Sequence, residues 1–148
     1  MGRPQHAGIR GDRGERDGTS LSPDGRWIAY ASDEAGGSEI YVAAVSDPAR
    51  RVKVSSGGGA EPLWRRDGLE LFYRSGNQVV AATIAPNLRV EGRRPLFQGT
   101  FVAGAGGRAA YDVSPDGARL LMIRSVEGDS PGRELRVILN WQPARARQ

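Results

Sequence analysis

Three aspartates recur in the same local setting. Asp24, Asp67 and Asp116 are each followed by a glycine. Repeated carboxylates of this kind can act as general acids or as hard oxygen ligands to a divalent cation. Two of them stand in "SPDG", as Ser22-Pro23-Asp24-Gly25 and Ser114-Pro115-Asp116-Gly117, so a hydroxyl lies two residues away. The third stands in "RRDG", which keeps only Asp67 and Gly68. The competing reading is turn chemistry. Proline presets φ at about −65° for the second position of a turn. Aspartate accepts hydrogen bonds from nearby backbone amides. Glycine takes the left-handed conformation that closes a three-residue hairpin with a bulge. Equivalent positions of different repeats are expected to lie far apart, so the three aspartates read as turn anchors and not as one shared site.

Other chemistries find little support in the residue types. There is no cysteine, which excludes disulfides and thiolate metal sites, and His6 is the only histidine. A Ser-His or Cys-His pair and a histidine-rich metal centre are therefore not expected. "GGGA" (57–60) and "GAGG" (104–107) are glycine-rich, but neither has the lysine or the following helix of a phosphate loop. They read as connections between repeats. "SDEAGGSE" (32–39) and "EGDSPG" (127–132) are acidic and read as hairpin loops; they lack the ligand spacing of a calcium loop. Trp27, Tyr30, Tyr41, Trp64, Phe72, Tyr73 and Trp141 fall mostly within strand-like runs and read as packing residues. No nucleophile elbow, kinase catalytic loop or Walker signature occurs. No catalytic, cofactor-binding or metal-ligating residue is expected, and no cofactor.

The formal net charge is +4, with Lys53 the only lysine. The arginines are scattered and form no basic stripe, so no nucleic-acid partner is expected. No apolar run approaches the roughly 20 residues of a membrane helix, which argues against membrane insertion. Residues 1–18 carry charge and glycine with no apolar segment, unlike a secretory signal, and read as a disordered leader; 142–148 read as a disordered tail.

The elements around the Asp-Gly pairs repeat as well. The pairs are spaced 43 and 49 residues apart, a period that points to propellers or solenoids. Each pair follows a short apolar stretch: Leu21, "PLW" (62–64) and "AYDV" (110–113). Each is followed by a strand-like run, "RWIAYAS", "LELFYRS" and "ARLLMIR", and after a loop by another, "EIYVAAV", "QVVAATI" and "ELRVILN". A fourth run, "RVKVSS" or "RPLFQG", completes the first two units. The runs are almost continuously apolar, which predicts sheets covered on both faces. No helical periodicity appears. The expected fold is all-β: a partial β-propeller of about three four-stranded antiparallel blades, the third incomplete. The blades are placed at about 19–60, 61–108 and 109–141.

"SPDG" with an apolar strand and then "EIYV" (39–42) resembles the TolB-type, WD-like propeller repeat, over roughly residues 19–141. "RPLFQGTFV" (94–102), "YDVSPDGARLLMI" (111–123) and "LRVILNW" (135–141) resemble the C-terminal propeller end of bacterial serine/threonine protein kinases. Rings of this family hold about six or seven blades, and about four is the lower end for propellers. The expectation is therefore a fragment of a larger propeller or a truncated reading frame; closure by assembly of copies, a homo-oligomer, is the alternative. The resemblance implies a non-catalytic segment for protein-protein interaction or sensing, with a protein or peptide partner or the missing blades as its contact. It also implies an extracytoplasmic setting. The alternative function is the accessory or sensor part of an enzyme, a kinase first among them.

Overall fold

The computed structural model describes residues 18–124 and 135–138. The leader, the acidic stretch at 127–132 and the tail lie outside the described residues, apart from Gly18. Gly18 is buried, and its N–H donates to Gly106 O at 3.0 Å, so this residue belongs to the folded part.

Among the described residues, eleven strands form three antiparallel sheets. The first holds β1 (Thr19–Leu21), β2 (Trp27–Ser32), β3 (Glu39–Ala44) and β4 (Arg51–Lys53), in that order. The second holds β5 (Ala60–Trp64), β6 (Glu70–Ser75), β7 (Gln78–Ile84) and β8 (Val90–Gln98). The third holds β9 (Tyr111–Val113), β10 (Leu120–Ile123) and β11 (Leu135–Ile138), with β10 central. The only helical feature among the described residues is a 3-10 turn at Ala105–Gly107. Each sheet is an up-and-down meander, as in a propeller blade.

The continuous apolar runs follow from stacking on both faces. Side chains alternate across a strand. In the first sheet Trp27, Ala29, Ala31, Ile40, Val42 and Ala44 face the second sheet, where they meet Leu71, Tyr73, Val80, Ala82, Ile84 and Leu88. The alternate residues of the second sheet, Phe72, Val79 and Ala81, face the third and meet Tyr111, Leu120 and Met122. On the face of the first sheet turned away from the second, Ile28, Tyr30, Tyr41 and Ala43 form another cluster, with the two tyrosine rings stacked at 5.9 Å. Each large side chain so buried contributes roughly 1.5–3 kcal/mol.

The first strands of the first two sheets lie side by side. The Trp64 amide donates to Ser20 Oγ at 3.3 Å and its indole N–H to Ser20 O at 3.2 Å. The fourth strands lie outermost: β8 is exposed along most of its length. This topology gives the blades two distinct ends. One carries the Asp-Gly turns and the β3–β4 and β7–β8 connections. The other carries the β2–β3 and β6–β7 hairpins and both crossovers between sheets, residues 54–59 and 99–110.

Candidate functional site at the crossover end

The recurring turns are built alike but are not the expected three-residue hairpin. Ser22 N–H donates to Trp27 O at 2.8 Å, and Gly25 N–H to Ser22 O at 2.8 Å. The loop therefore holds Pro23 to Arg26, one residue more. The middle copy, with Arg65 N–H on Glu70 O at 2.9 Å and Gly68 N–H on Arg65 O at 3.0 Å, has the same length without a serine. Ser22 Oγ accepts the Trp27 N–H at 2.9 Å and donates to Asp24 Oδ1 at 2.7 Å. Asp24 also accepts the Arg26 N–H at 3.1 Å and its Nε–H at 2.6 Å. These bonds hold its carboxyl at about 2, the serine hydroxyl contributing most. Ser114 and Asp116 repeat the pattern, with Arg119 N–H on Ser114 Oγ at 3.0 Å and Ala118 N–H on Asp116 at 3.0 Å. In the middle copy Asp67 caps the Leu69 N–H at 3.0 Å, and Arg65 stands where the others have serine. Its guanidinium reaches Asp67 at 2.9 Å and Glu70 at 2.8 Å. Gly25, Gly68 and Gly117 all adopt φ near +70° (+70°, +73° and +70°).

The turns are not far apart, contrary to the sequence expectation. A Cβ on Gly117 would fall 2.7 Å from Arg65 Nε, and one on Gly68 would fall 3.7 Å from Pro23 Cδ. They are neighbours because successive sheets stack. Their carboxylates are nonetheless committed to local amides and arginines, which leaves Asp24, Asp67 and Asp116 as turn anchors. Among the described residues no three carboxylate, histidine or cysteine groups gather to hold a metal ion.

The opposite end holds the polar groups that sequence reasoning missed. Glu39, at the start of β3, is buried. It accepts from the Ser55 hydroxyl, from Gly58 N–H at 3.2 Å and from Lys53 Nζ at 2.7 Å. Burial pushes its carboxyl up, and the hydrogen bonds from Lys53, Ser55 and Gly58 outweigh this and hold it below the ordinary value. Ser55 and Gly58 both belong to the 54–59 crossover, so Glu39 ties that crossover to its own blade. Ser38 Oγ adds a bond to Gly59 O at 2.7 Å.

Glu61 does the same for the next crossover. It sits in a register shift of β5 between Ala60 and Leu63 and adopts φ +55°. A residue before proline is normally extended, so this conformation is strained. The bulge turns the carboxylate inward, where its side chain is 4% exposed. It accepts from Arg74 Nη1 and Gly104 N–H, at 3.0 and 3.2 Å, and from Ala110 N–H at 3.0 Å. Arg74 also donates to Val102 O at 3.2 Å and Phe101 O at 3.5 Å. Tyr111 donates its hydroxyl to Glu61 O at 2.7 Å, and burial, with the Glu61 charge nearby, pushes that phenol well above its ordinary range.

Between these groups lies a cleft of about 330 Å³ lined by Ser38, Gly58, Gly59, Ala60, Glu61, Arg74, Gly76 and Ala103. Five of these are glycine or alanine, so its walls are largely backbone. The glycine-rich stretches 57–60 and 104–107 thus fall at the sheet connections, with Ala60 already paired to Arg74 in β5. Of the acidic stretch 32–39, Glu34 pairs with Arg51 at 2.9 Å and Glu39 with Lys53. A charged residue directly before proline at the head of an apolar strand was the available signal for Glu61.

The sequence matches no protein-family model and no curated protein. Solved structures share the fold. Oligogalacturonate lyase from Vibrio parahaemolyticus superposes with a TM-score of 0.59 at 13% identity, over 93% of this chain and 34% of that one. TolB from Acinetobacter baumannii gives 0.54 at 22% identity, over 82% of this chain and 28% of that one. An oligogalacturonate lyase in complex with manganese gives 0.56 at 14% identity, over 75% and 31%. The chain therefore spans about a third of the length of these structures, and its fold is that of a β-propeller segment.

Proposed function

We propose that the chain is a non-catalytic propeller segment that presents its crossover end to a protein or peptide partner. The observation that carries this reading is the cleft itself. Its charged groups, Glu61 and Arg74, are engaged with backbone amides and carbonyls and are thereby withdrawn from acid-base or nucleophilic work. Its walls are small residues that leave main chain accessible to another chain. Loops held on a rigid sheet scaffold are the usual place for recognition. Among the described residues no helix is long and apolar enough to cross a membrane.

The test is site-specific photo-cross-linking in the source cells. A benzophenone amino acid replaces exposed Ala103 at the cleft or exposed Ala118 at the turn end. A discrete protein adduct is expected from position 103, absent from position 118, and abolished by filling the cleft with Ser38→Trp. Adducts of equal yield from both positions, or none from 103, would sink the reading.

A further inference from the structure

We infer that the second crossover, residues 99–110, is a latched lid over this cleft, with the Glu61–Arg74 pair as its latch. Ala103 forms one wall of the cleft and belongs to the crossover. Phe101 and Ala109 of the crossover pack against the core between the second and third sheets, and most of its hydrogen bonds to side chains converge on this one pair. Glu61 takes the amides of Gly104 and Ala110, and Arg74 takes the carbonyls of Phe101 and Val102. The other backbone ties are Val102 N–H to Ile123 O at 2.9 Å, Gly99 N–H to Asn77 O at 2.9 Å and Gly18 N–H to Gly106 O at 3.0 Å. The crossover has no strand pairing, and residues 102, 103, 105, 106 and 108 are exposed.

Two unfavourable features converge on the latch. Glu61 is left-handed, and Arg74 Nε is a buried donor with no partner. Strain of this sort persists only where surrounding contacts over-determine it, and it is typical of switch points. Opening the lid relieves both: β5 can straighten at Glu61, and Arg74 can turn toward water. The first crossover differs. It is six residues long and is held by Glu39 together with backbone bonds from Val54 and Ser55 to Ile40 O. The molecule therefore has one firm crossover and one releasable crossover on opposite sides of the same cleft. Only the consequence for partner access rests on the docking reading above; the latch itself stands on the geometry.

Hydrogen exchange followed by mass spectrometry tests the latch without any partner, so its outcome is independent of the cross-linking result. Glu61→Gln leaves at least one buried amide or guanidinium donor without an acceptor. Amides of residues 99–111 are expected to exchange at least about tenfold faster, with β2 and β3 unchanged. Arg74→Lys keeps the charge and drops the fork to Phe101 and Val102; it should accelerate 99–104 about threefold or more, and it carries the test should the first variant not fold. Unchanged exchange at 99–111 in the folded variants, or equal acceleration across all three sheets, overturns the inference.

Discussion

Alanine at Gly25 and at Gly117 separates two costs that the turns combine. Both glycines sit at φ +70°. For an L-residue the left-handed conformation costs about 1–2 kcal/mol, and the loss of unfolded-chain freedom on replacing glycine returns about 0.4–1 kcal/mol. A Cβ on Gly25 meets nothing within 4 Å, so Gly25→Ala isolates the backbone effect: about 0.5–1.5 kcal/mol of destabilisation. At Gly117 the same Cβ lies 2.7 Å from Arg65 Nε and 2.8 Å from its Cδ. Arg65 must then move and loosen its pairs with Asp67 and Glu70, which are partly exposed, at 31%, 35% and 17%. Pairs so placed are worth about 0.5–1 kcal/mol together after solvent screening. Gly117→Ala should therefore cost about 1–2.5 kcal/mol, the sum of the two contributions. Urea unfolding followed by tryptophan fluorescence measures both, and the double variant with Arg65→Ala isolates the contact. A coupling of about 0.5–1 kcal/mol is expected for Arg65 with Gly117 and none for Arg65 with Gly25. Gly25→Ala as stable as the parent would refute the turn assignment. Equal effects at the two glycines with zero coupling would refute the contact between turns.

Leu88 offers a related reversal. It is buried in the core between the first two sheets yet adopts φ +69°. Leu88→Ala loses the side chain and keeps the strain, at a cost of about 2–4 kcal/mol, whereas Leu88→Gly also relieves the backbone and should melt no lower than the alanine variant. A glycine variant clearly less stable than alanine would count against the left-handed assignment. Acid should weaken the fold through Asp24, Asp116 and Glu39, all held below their ordinary values. A depressed folded-state value means stabilisation present above the unfolded value and lost as pH falls toward the folded one. For Asp24 that window runs from the usual 3.8 down to about 2. Carboxyl chemical shifts by NMR would show this, and an Asp24 midpoint near 3.8 would contradict the hydrogen-bonded turn.

The turns were legible in the sequence because their chemistry is local. Ser22, Asp24 and the amides of Arg26 and Trp27 lie within five residues of one another, so residue type and spacing suffice to specify the bonds. The all-β architecture was legible for a related reason. Apolar residues at consecutive strand positions demand cover on both faces, and stacked sheets supply it. The loop is one residue longer than expected in all three copies, including Arg65–Glu70, which has no serine.

The crossover end could not be read in the same way. Glu61 meets Arg74, Gly104 and Ala110 across 13, 43 and 49 residues of chain. Nothing in the local sequence says that a glutamate before proline will turn inward; that depends on the bulge in β5 and on where the third sheet docks. Nor does spacing reveal that Arg65 of one turn lies against Gly117 of the next, since that contact exists only once the second and third sheets stack. Sequence alone determined the repeat, the turns and the strand faces, because hydrogen bonds over a few residues and period-two burial leave direct marks in residue order. Tertiary structure decided the cleft, its latch and the contacts between turns, because these join groups that only the stacking of separate sheets brings within bonding distance.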